Sequence, residues 1–211
     1  MKYNCHDCGP PLCAADRLTE ILARIQGRKV VLLGLGLFGG GEGAARYLAE
    51  RGARVTIMDR KSAAELAPVL ERLADLPVRC RLGEHRMEDL LEADLVVVNP
   101  AVPRTCALLA ACHDAGIPIT SPMNVFLVLC RAPVAAVTGS TGKSTTSAML
   151  AAMLREGARP VRLGGNIGIS LLPTVDEIGP DEIVVLELSS FQLEDTPHLP
   201  WAPHVAVVTN I

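Results

Sequence analysis

The chain has 211 residues, with 20 lysines and arginines against 23 aspartates and glutamates and a formal net charge of −3. A chain so close to neutral has no general electrostatic attraction for nucleic acid or for an anionic membrane. Hydrophobic residues make up 49% of it and charged residues 20%, which argues against disorder. No apolar run reaches the ~20 residues that span a bilayer, and the N-terminus lacks the apolar core of a signal peptide. We therefore expect a cytoplasmic protein that binds neither nucleic acid nor membrane.

Short apolar runs alternate with helical patterns along the first part of the chain. The runs predict strands at 29–33, 55–59, 78–82, 95–99 and 117–120, with helices at 44–51 and 63–74 between them. Strands that are apolar throughout and separated by helices indicate a parallel sheet that is covered on both faces.

The same alternation starts again after residues 121–131, where Ser121-Pro122 interrupts it. Strands are predicted at 134–138, 161–164, 183–188 and 205–210, with a long helix at 145–155. We therefore divide the chain into an N-terminal lead (1–28), a first α/β domain (29–122) and a second α/β domain (123–211). Because the second series stops on a strand, we expect this second domain to be incomplete.

The first predicted strand leads into a glycine-rich turn. Gly34, Gly36 and Gly39 fit G-x-G-x-x-G, and Asp59 ends the next strand 20 positions after Gly39. Glycines permit a tight turn and a close approach of the backbone to phosphate, and an acidic residue at this spacing accepts hydrogen bonds from a ribose or another polar ring. The pattern favours a nucleotide site, but these glycines could also serve only to pack a helix on a strand.

A second glycine-rich turn follows the strand at 134–138. The order strand, Gly139 to Gly142, Lys143-Ser144 and helix is the arrangement that holds phosphates with backbone N–H groups. The Lys143 ammonium would reach the β- and γ-phosphates, and the Ser144 hydroxyl would join the shell of a Mg²⁺ ion. The turn is shorter than the usual G-x-x-x-x-G-K-[ST].

These residues resemble a known family. The string VTGSTGKSTT (137–146) is similar to the ATP loop of the Mur ligases, the ATP-dependent amide-forming enzymes of peptidoglycan precursor synthesis. Within that family, GGNIG (164–168) and LELSSFQLE (186–194) are similar to the member that adds D-glutamate to UDP-N-acetylmuramoyl-L-alanine. The resemblance spans residues 29–211. It implies a Rossmann-like domain followed by an incomplete P-loop ATPase-type domain, and the cofactors ATP and Mg²⁺.

The resemblance also implies a role for individual residues. Lys143 and Glu187 would carry catalysis, and Ser144 and Glu187 would hold Mg²⁺. The ATP-binding residues would be Gly139, Ser140, Thr141, Gly142, Lys143, Ser144, Thr145 and Thr146. The residues that hold the UDP-linked substrate would be Gly34, Gly36, Gly39, Asp59, Arg60, Asn166, Ser189 and Gln192.

Several alternatives stay open. The first glycine turn alone also fits an NAD-binding oxidoreductase domain, and the whole chain also fits a non-catalytic nucleotide-binding module. Glu187 could be a solvated charge at a strand end. The residues Asn166, Ser189 and Gln192 could be turn and cap residues. Cys5-x-x-Cys8 with His6 and Cys13 could be half of a zinc site.

The chain also departs from the family pattern. It has Ser140-Thr141 where Thr-Asn is usual, Asn99-Pro100-Ala101 where Ser-Pro-Gly is common, and the extra glycines Gly40 and Gly41. Because the family's later Asp-His motif and glutamate-binding domain are not in this sequence, we expect the chain to be inactive by itself. We also expect a monomer.

Overall fold

Two parallel sheets organise the protein in the computed structural model, which describes residues 9–37 and 39–211. Cys5 and Cys8 lie outside the described residues. Within the described ranges, no group of three or more histidine, cysteine, aspartate or glutamate side chains is placed to hold a metal ion. None of the helices in these ranges is both long enough and apolar enough to cross a membrane.

The first unit holds a five-stranded sheet. Its strands are β1 (Lys29–Leu33), β2 (Arg54–Asp59), β3 (Arg79–Leu82), β4 (Leu95–Val98) and β5 (Ile119–Thr120). Its helices are α1 (Ala15–Ala23), α2 (Gly40–Glu50), α3 (Ala63–Arg72), α4 (Met87–Leu91) and α5 (Ala107–Asp114).

The second unit holds a four-stranded sheet and is joined to the first by helix α6 (Pro122–Leu129). Its strands are β6 (Val134–Thr138), β7 (Val161–Gly165), β8 (Ile183–Glu187) and β9 (Val205–Val208). Its helices are α7 (Lys143–Arg155), a short 3-10 helix (Leu172–Glu177) and α8 (Ser190–Glu194).

In both sheets the strand order reverses at a central strand. The first has the order β3-β2-β1-β4-β5 and the second the order β7-β8-β6-β9, with parallel pairing throughout. The chain therefore leaves β1 towards one edge and returns to β4 on its other side, and β6 is flanked by β8 and β9 in the same way. Open parallel sheets bind ligands at such points, beyond the carboxyl ends of the strands. Each glycine turn follows one of these central strands.

The prediction of an α/β fold with parallel strands is confirmed, and the order of the first sheet is consistent with a Rossmann-like domain. Each predicted strand is present, with ends that differ by up to two residues. Helix α6 was not predicted, because Ser121-Pro122 only indicated an interruption between the two series of strands and helices. Ser121 instead caps α6, accepting a hydrogen bond from the Asn124 N–H, and Pro122 occupies the first turn, where its missing N–H costs nothing.

Helix α6 is buried between the two units. It packs on α1 and α2 of the first unit and on the 3-10 helix of the second. A single apolar core consequently contains Leu32 and Val97 from the first sheet together with Val134 and Val184 from the second. Helix α2 also comes close to the 3-10 helix, since a Cβ on Gly43 would lie 3.3 Å from Pro173 Cδ. The two units are thus joined by continuous packing and not by a free linker.

One edge of the second sheet carries an ion pair that makes its stability depend on pH. The Arg162 guanidinium on β7, followed by the Gly179 N–H, lowers the pKa of Glu182 below its ordinary value of 4.5. A carboxylate with a lowered pKa contributes stability above its ordinary pKa, and that contribution is lost as the pH falls through the lower value. We expect Glu182→Gln to be less stable than wild type at pH 7, with a difference that shrinks below pH 4.5. Urea unfolding of both proteins at pH 7 and at pH values below 4.5 measures this difference in the free energy of unfolding. Glu156→Gln is the control, and an equal pH dependence in the two variants would contradict the assignment.

Candidate nucleotide-binding sites

The first glycine turn runs from the end of β1 into α2. Gly34, Gly36 and Gly39 have φ values of +84°, +66° and +82°, in the left-handed region that favours glycine. A Cβ on Gly34 would also lie 2.8 Å from Val102 Cγ2, so this turn lies directly against the loop that follows β4. The three glycines that the sequence singled out therefore share one turn at the switch point of the first sheet.

Asp59 supports this turn from the end of β2. Only 8% of Asp59 is exposed, and one carboxylate oxygen accepts hydrogen bonds from the Leu35 N–H (2.8 Å) and the Gly36 N–H (3.3 Å). The other oxygen accepts from the Lys61 N–H at 2.9 Å. Arg60 is exposed beside it. A direct contact of Asp59 with a ligand stays a prediction, since both carboxylate oxygens already serve backbone donors.

Two residues of this site were missed by the sequence analysis. A Cβ on Gly41 would lie 2.1 Å from the Leu35 carbonyl oxygen, so glycine at this position lets α2 begin against the turn. The signal was the run of three glycines at 39–41, which was treated as a departure from the family pattern. Asn99 ends β4 beside the turn, and its side-chain oxygen accepts from the Ala101 N–H at 3.0 Å.

The second glycine turn joins β6 to α7. Gly139 has φ +134° and Gly142, the residue before the helix, has φ +82°. The first hydrogen bond of the helix runs from the Thr146 N–H to the Gly142 carbonyl at 2.9 Å. The N–H groups that precede it in the first turn of a helix have no partner within that helix and are available to an anion. Ser144 and Thr145 lie there and are exposed.

The Lys143 side chain folds back over the same turn. Its Nζ donates to the Gly139 carbonyl at 2.7 Å and to the Ser140 carbonyl at 3.1 Å. The ammonium group is therefore held above the turn by two neutral acceptors, which phosphate oxygens could replace with stronger, charge-assisted bonds.

Thr209 and Asn210 fix the second turn from beyond β9. The Asn210 side chain accepts from the Thr141 N–H (2.9 Å) and donates to the Thr141 hydroxyl (2.7 Å), and its carbonyl accepts from the Ser140 N–H (3.2 Å). The Thr209 hydroxyl donates to the Thr141 carbonyl. The sequence analysis assigned these two residues to a strand. They instead leave β9 and close over the turn.

Glu187 is brought to the second turn by strand pairing. It ends β8 in register with Val137, two residues before Gly139, and is only 2% exposed. Its Oε1 accepts a hydrogen bond from Asn166 Nδ2 at 3.0 Å, while Oε2 has no partner within the described residues. The alternative of a solvated strand-end charge is therefore wrong. A buried carboxylate oxygen without a donor, at the end of the strand that pairs with β6, offers the kind of ligand that Mg²⁺ prefers.

Ser189 and Gln192 form the capping box of α8. The Ser189 hydroxyl accepts from the Gln192 N–H at 3.2 Å, and Gln192 Oε1 accepts from the Ser189 N–H at 3.0 Å. The structure thus gives both residues the cap role that was one of two alternatives. Contact with a substrate stays a prediction for them.

The loop after β7 lies between the first glycine turn and Glu187. Asn166 in this loop donates a hydrogen bond to Glu187, and a Cβ on Gly39 of the first turn would lie 3.0 Å from the Gly168 carbonyl. A shallow cleft of about 280 Å³ lies between this loop and the start of α2, lined in part by Gly39, Gly43 and Ile169. The two sites therefore lie on one side of the molecule.

Two family models match the chain. Residues 28–121 match the Mur ligase MurD-like N-terminal domain, and residues 137–211 match the Mur ligase middle domain. Together these ranges cover most of the chain and coincide with the two sheets.

Curated relatives carry one common name. The chain is 43% identical over 188 residues to a UDP-N-acetylmuramoylalanine–D-glutamate ligase of Roseiflexus sp. (strain RS-1), covering 89% of this chain and 40% of that protein. It is 45% identical over 180 residues to the ligase of the same name from Treponema pallidum, covering 84% of this chain and 34% of that protein. The chain thus spans about two fifths of the length of curated relatives that it matches.

Solved structures support the fold. A murein peptide ligase from Psychrobacter arcticus superposes with a TM-score of 0.55 at 21% identity, covering 86% of this chain and 42% of that one. A UDP-N-acetylmuramate:L-alanyl-gamma-D-glutamyl-meso-diaminopimelate ligase from Neisseria meningitidis gives 0.58 at 24%, covering 87% and 60%. At these identities the likeness shows the fold alone.

The hydrogen bonds of Asp59 predict a stability cost. Asp59→Ala leaves the buried Leu35 N–H without an acceptor, so we expect the free energy of unfolding to fall by about 1–3 kcal/mol. Arg60→Ala, at the exposed neighbouring position, should change it by no more than about 0.5 kcal/mol. Urea unfolding of both variants measures the difference. Equal stabilities would show that Asp59 does not support the first turn.

Proposed function

Because the chain belongs to the Mur ligase family, we propose that it carries the substrate-binding and ATP-binding parts of a ligase that adds D-glutamate to UDP-N-acetylmuramoyl-L-alanine. The observation that carries the proposal is Glu187, whose buried and unpartnered carboxylate oxygen lies at the strand end beside the second glycine turn. Ligase chemistry of this kind needs a divalent cation held next to transferred phosphate.

The reaction would proceed in two steps. The free carboxylate of the L-alanyl group attacks the γ-phosphorus of ATP, which gives an acyl phosphate and ADP. The amine of D-glutamate then attacks the acyl carbon, phosphate leaves with the bonding electron pair, and the amine loses a proton as the amide forms. The reactants are anionic, so the protein's main contributions are positioning and charge neutralisation.

The second unit supplies these contributions in a P-loop ATPase-type arrangement. Ser144 and Glu187 would hold Mg²⁺, which supplies positive charge to the β- and γ-phosphates when bound. Asn166 fixes the orientation of the Glu187 carboxylate through its 3.0 Å hydrogen bond. Lys143 adds a cation that is already held over the turn by the Gly139 and Ser140 carbonyls. The backbone from Gly139 to Thr146 would surround the phosphates.

The first unit would hold the UDP part of the substrate. Its glycine turn at Gly34, Gly36 and Gly39 offers backbone to a diphosphate, and Asp59 with Arg60 lies at the neighbouring strand end. The turn alone equally fits a nicotinamide dinucleotide, and the names of the relatives favour UDP. The division into domains at residues 122 and 123, a cytoplasmic location and a monomeric state belong to the same proposal.

The function is tested first at Lys143. Lys143→Ala should weaken binding of Mg·ATP by about 10- to 150-fold, because charge-assisted bonds of about 1.5–3 kcal/mol are lost. Its affinity for UDP-N-acetylmuramoyl-L-alanine should stay within about twofold, since the other unit holds that ligand. Isothermal titration calorimetry of this chain measures both. Tight binding of NADH without competition from UDP would overturn the substrate assignment and favour the oxidoreductase alternative.

A second test separates the metal from the nucleotide. Glu187→Gln removes the charge but keeps the shape, so the Mg²⁺ concentration for half-maximal ADP binding should rise by about 10- to 100-fold. Glu182→Gln, at the residue just before β8, is the matched control. Its ADP binding should depend on the Mg²⁺ concentration as in wild type. An unchanged Mg²⁺ dependence in Glu187→Gln would remove Glu187 from the metal site.

A further inference from the structure

A buried polar cluster lies where the first unit meets α8 of the second. Thr120, Ser121, Asn124 and Asp195 are each at most 2% exposed. The Arg104 side chain, from the loop between β4 and α5, reaches into the cluster with 20% exposure. The core shared by the two units is apolar, and this cluster is a buried polar contact between them.

Groups from the first unit and from α6 converge on Asp195. The Arg104 guanidinium pairs with the Asp195 carboxylate at 2.5 Å, and Asn124 Nδ2 donates to the Asp195 carbonyl at 2.7 Å. Burial raises the pKa of the Asp195 carboxyl, while Arg104, and after it Ser121, lowers that pKa in part. Asp195 ends α8, so these contacts fix one end of that helix.

The other end of α8 is tied to the second glycine turn. The Leu188 carbonyl, just before the capping residue of α8, accepts a hydrogen bond from the Thr138 hydroxyl at 2.8 Å, and the Leu188 N–H donates to the Val137 carbonyl at 2.9 Å. Thr138 is the last residue of β6 before the turn. Helix α8 has only five residues, so its two ends are about 8 Å apart. It therefore connects the Arg104 contact with the phosphate-binding turn through a short, capped element.

The loop that carries Arg104 is tied in turn to the first glycine turn. A Cβ on Gly34 would lie 3.1 Å from Asn99 Cβ, at the start of this loop, and 2.8 Å from Val102 Cγ2, in its middle. A continuous series of contacts thus runs from the first turn through Arg104, Asp195 and α8 to the second turn.

The Arg104–Asp195 pair is a poor device for stability alone. Removing two charges from water costs about as much as their attraction returns, and buried pairs are best attested where they specify one arrangement. Arg104 Nη1 is buried and has no acceptor in the part of the chain that the structure describes, which adds to that cost. The pair therefore fits a role in orientation.

We propose that Arg104 and Asp195 are positioning residues that couple ligand binding at the first glycine turn to ligand binding at the second, by holding α8 in a fixed orientation between them. This inference rests on the proposed function, since it takes both turns to be nucleotide sites. It adds that ligand binding at one turn favours ligand binding at the other, and that the Arg104–Asp195 ion pair transmits this effect.

Calorimetry of this chain tests the coupling. The dissociation constant of UDP-N-acetylmuramoyl-L-alanine is measured with and without saturating Mg²⁺ and a non-hydrolysable ATP analogue, and the ratio of the two is the coupling factor. We expect a factor of at least about 5 in wild type. Arg104→Met and Asp195→Asn should reduce it below about 2, while Arg104→Lys, which keeps the charge, should retain part of it.

A matched control removes a second ion pair between the units. Arg51 at the end of α2 pairs with Asp176 in the 3-10 helix, away from α8, and the Asp176 side chain is 65% exposed. Asp176→Asn should keep the wild-type coupling factor, because it leaves α8 untouched. A wild-type factor in Arg104→Met, or a factor of 1 in the wild type when both ligands bind, would overturn the inference and leave the proposed function intact.

Hydrogen exchange of the ligand-free chain gives a readout that does not depend on the ligands. Arg104→Met should speed amide exchange in residues 188–196 and 139–142 by about tenfold, while exchange in β1 and β4 stays as in wild type. Asp195→Asn should act in the same direction, and Asp176→Asn should not. If neither ligand binds, the proposed function is overturned. Unchanged amide exchange of residues 188–196 in Arg104→Met would overturn the present inference, whether or not the ligands bind.

Discussion

Parallel pairing of β6 with β8 is the constraint on which the second site depends. It sets Glu187 opposite Val137, so that a carboxylate ends one strand where the neighbouring strand leads into the glycine turn. Pairing of β6 with β9 delivers Thr209 and Asn210 to the same turn from the opposite side. Thr209 and Asn210 thus fix the turn by hydrogen bonds, and the Lys143 ammonium is held over it by the Gly139 and Ser140 carbonyls. A shift of register by one residue would send the Glu187 side chain to the other face of the sheet.

The first site follows the same principle with a different brace. Here β1 is the central strand, and Asp59 at the end of β2 holds the turn through backbone N–H groups while Asn99 at the end of β4 closes the other side. The two units are then packed together by α6, whose apolar side chains are shared by both. Two ion pairs also cross this junction, the buried Arg104–Asp195 pair and the more exposed Arg51–Asp176 pair. The shared apolar core and these polar contacts hold the two sheets together.

The sequence predicted the architecture well, because apolar runs of five residues bounded by glycine turns have few alternative structures. It also placed Gly34 and Gly139 in turns, because the positive φ that each adopts is a local requirement that favours glycine. It failed where a residue's role depends on a distant partner. Gly41 is required by the Leu35 carbonyl, Asn210 acts on Thr141 69 positions away, and Arg104 meets Asp195 91 positions away. Helix α6 was missed because its side chains, except that of Asn124, are apolar all around the helix. The sequence therefore lacks the alternation of apolar and polar residues with a period of about 3.6 that marks a surface helix.

We propose that this chain presents two different phosphate-binding turns, with a metal ligand at only the second. A crystal structure of this chain with ADP, Mn²⁺ and UDP-N-acetylmuramoyl-L-alanine, in which anomalous scattering locates the manganese, tests this proposal. We expect one manganese peak bonded to Glu187 Oε2 and the Ser144 hydroxyl, with ADP along Gly139–Lys143 and the uridine diphosphate against Gly34–Gly39. Manganese bound away from Glu187, or ADP seated at the first turn in place of the UDP ligand, would contradict it.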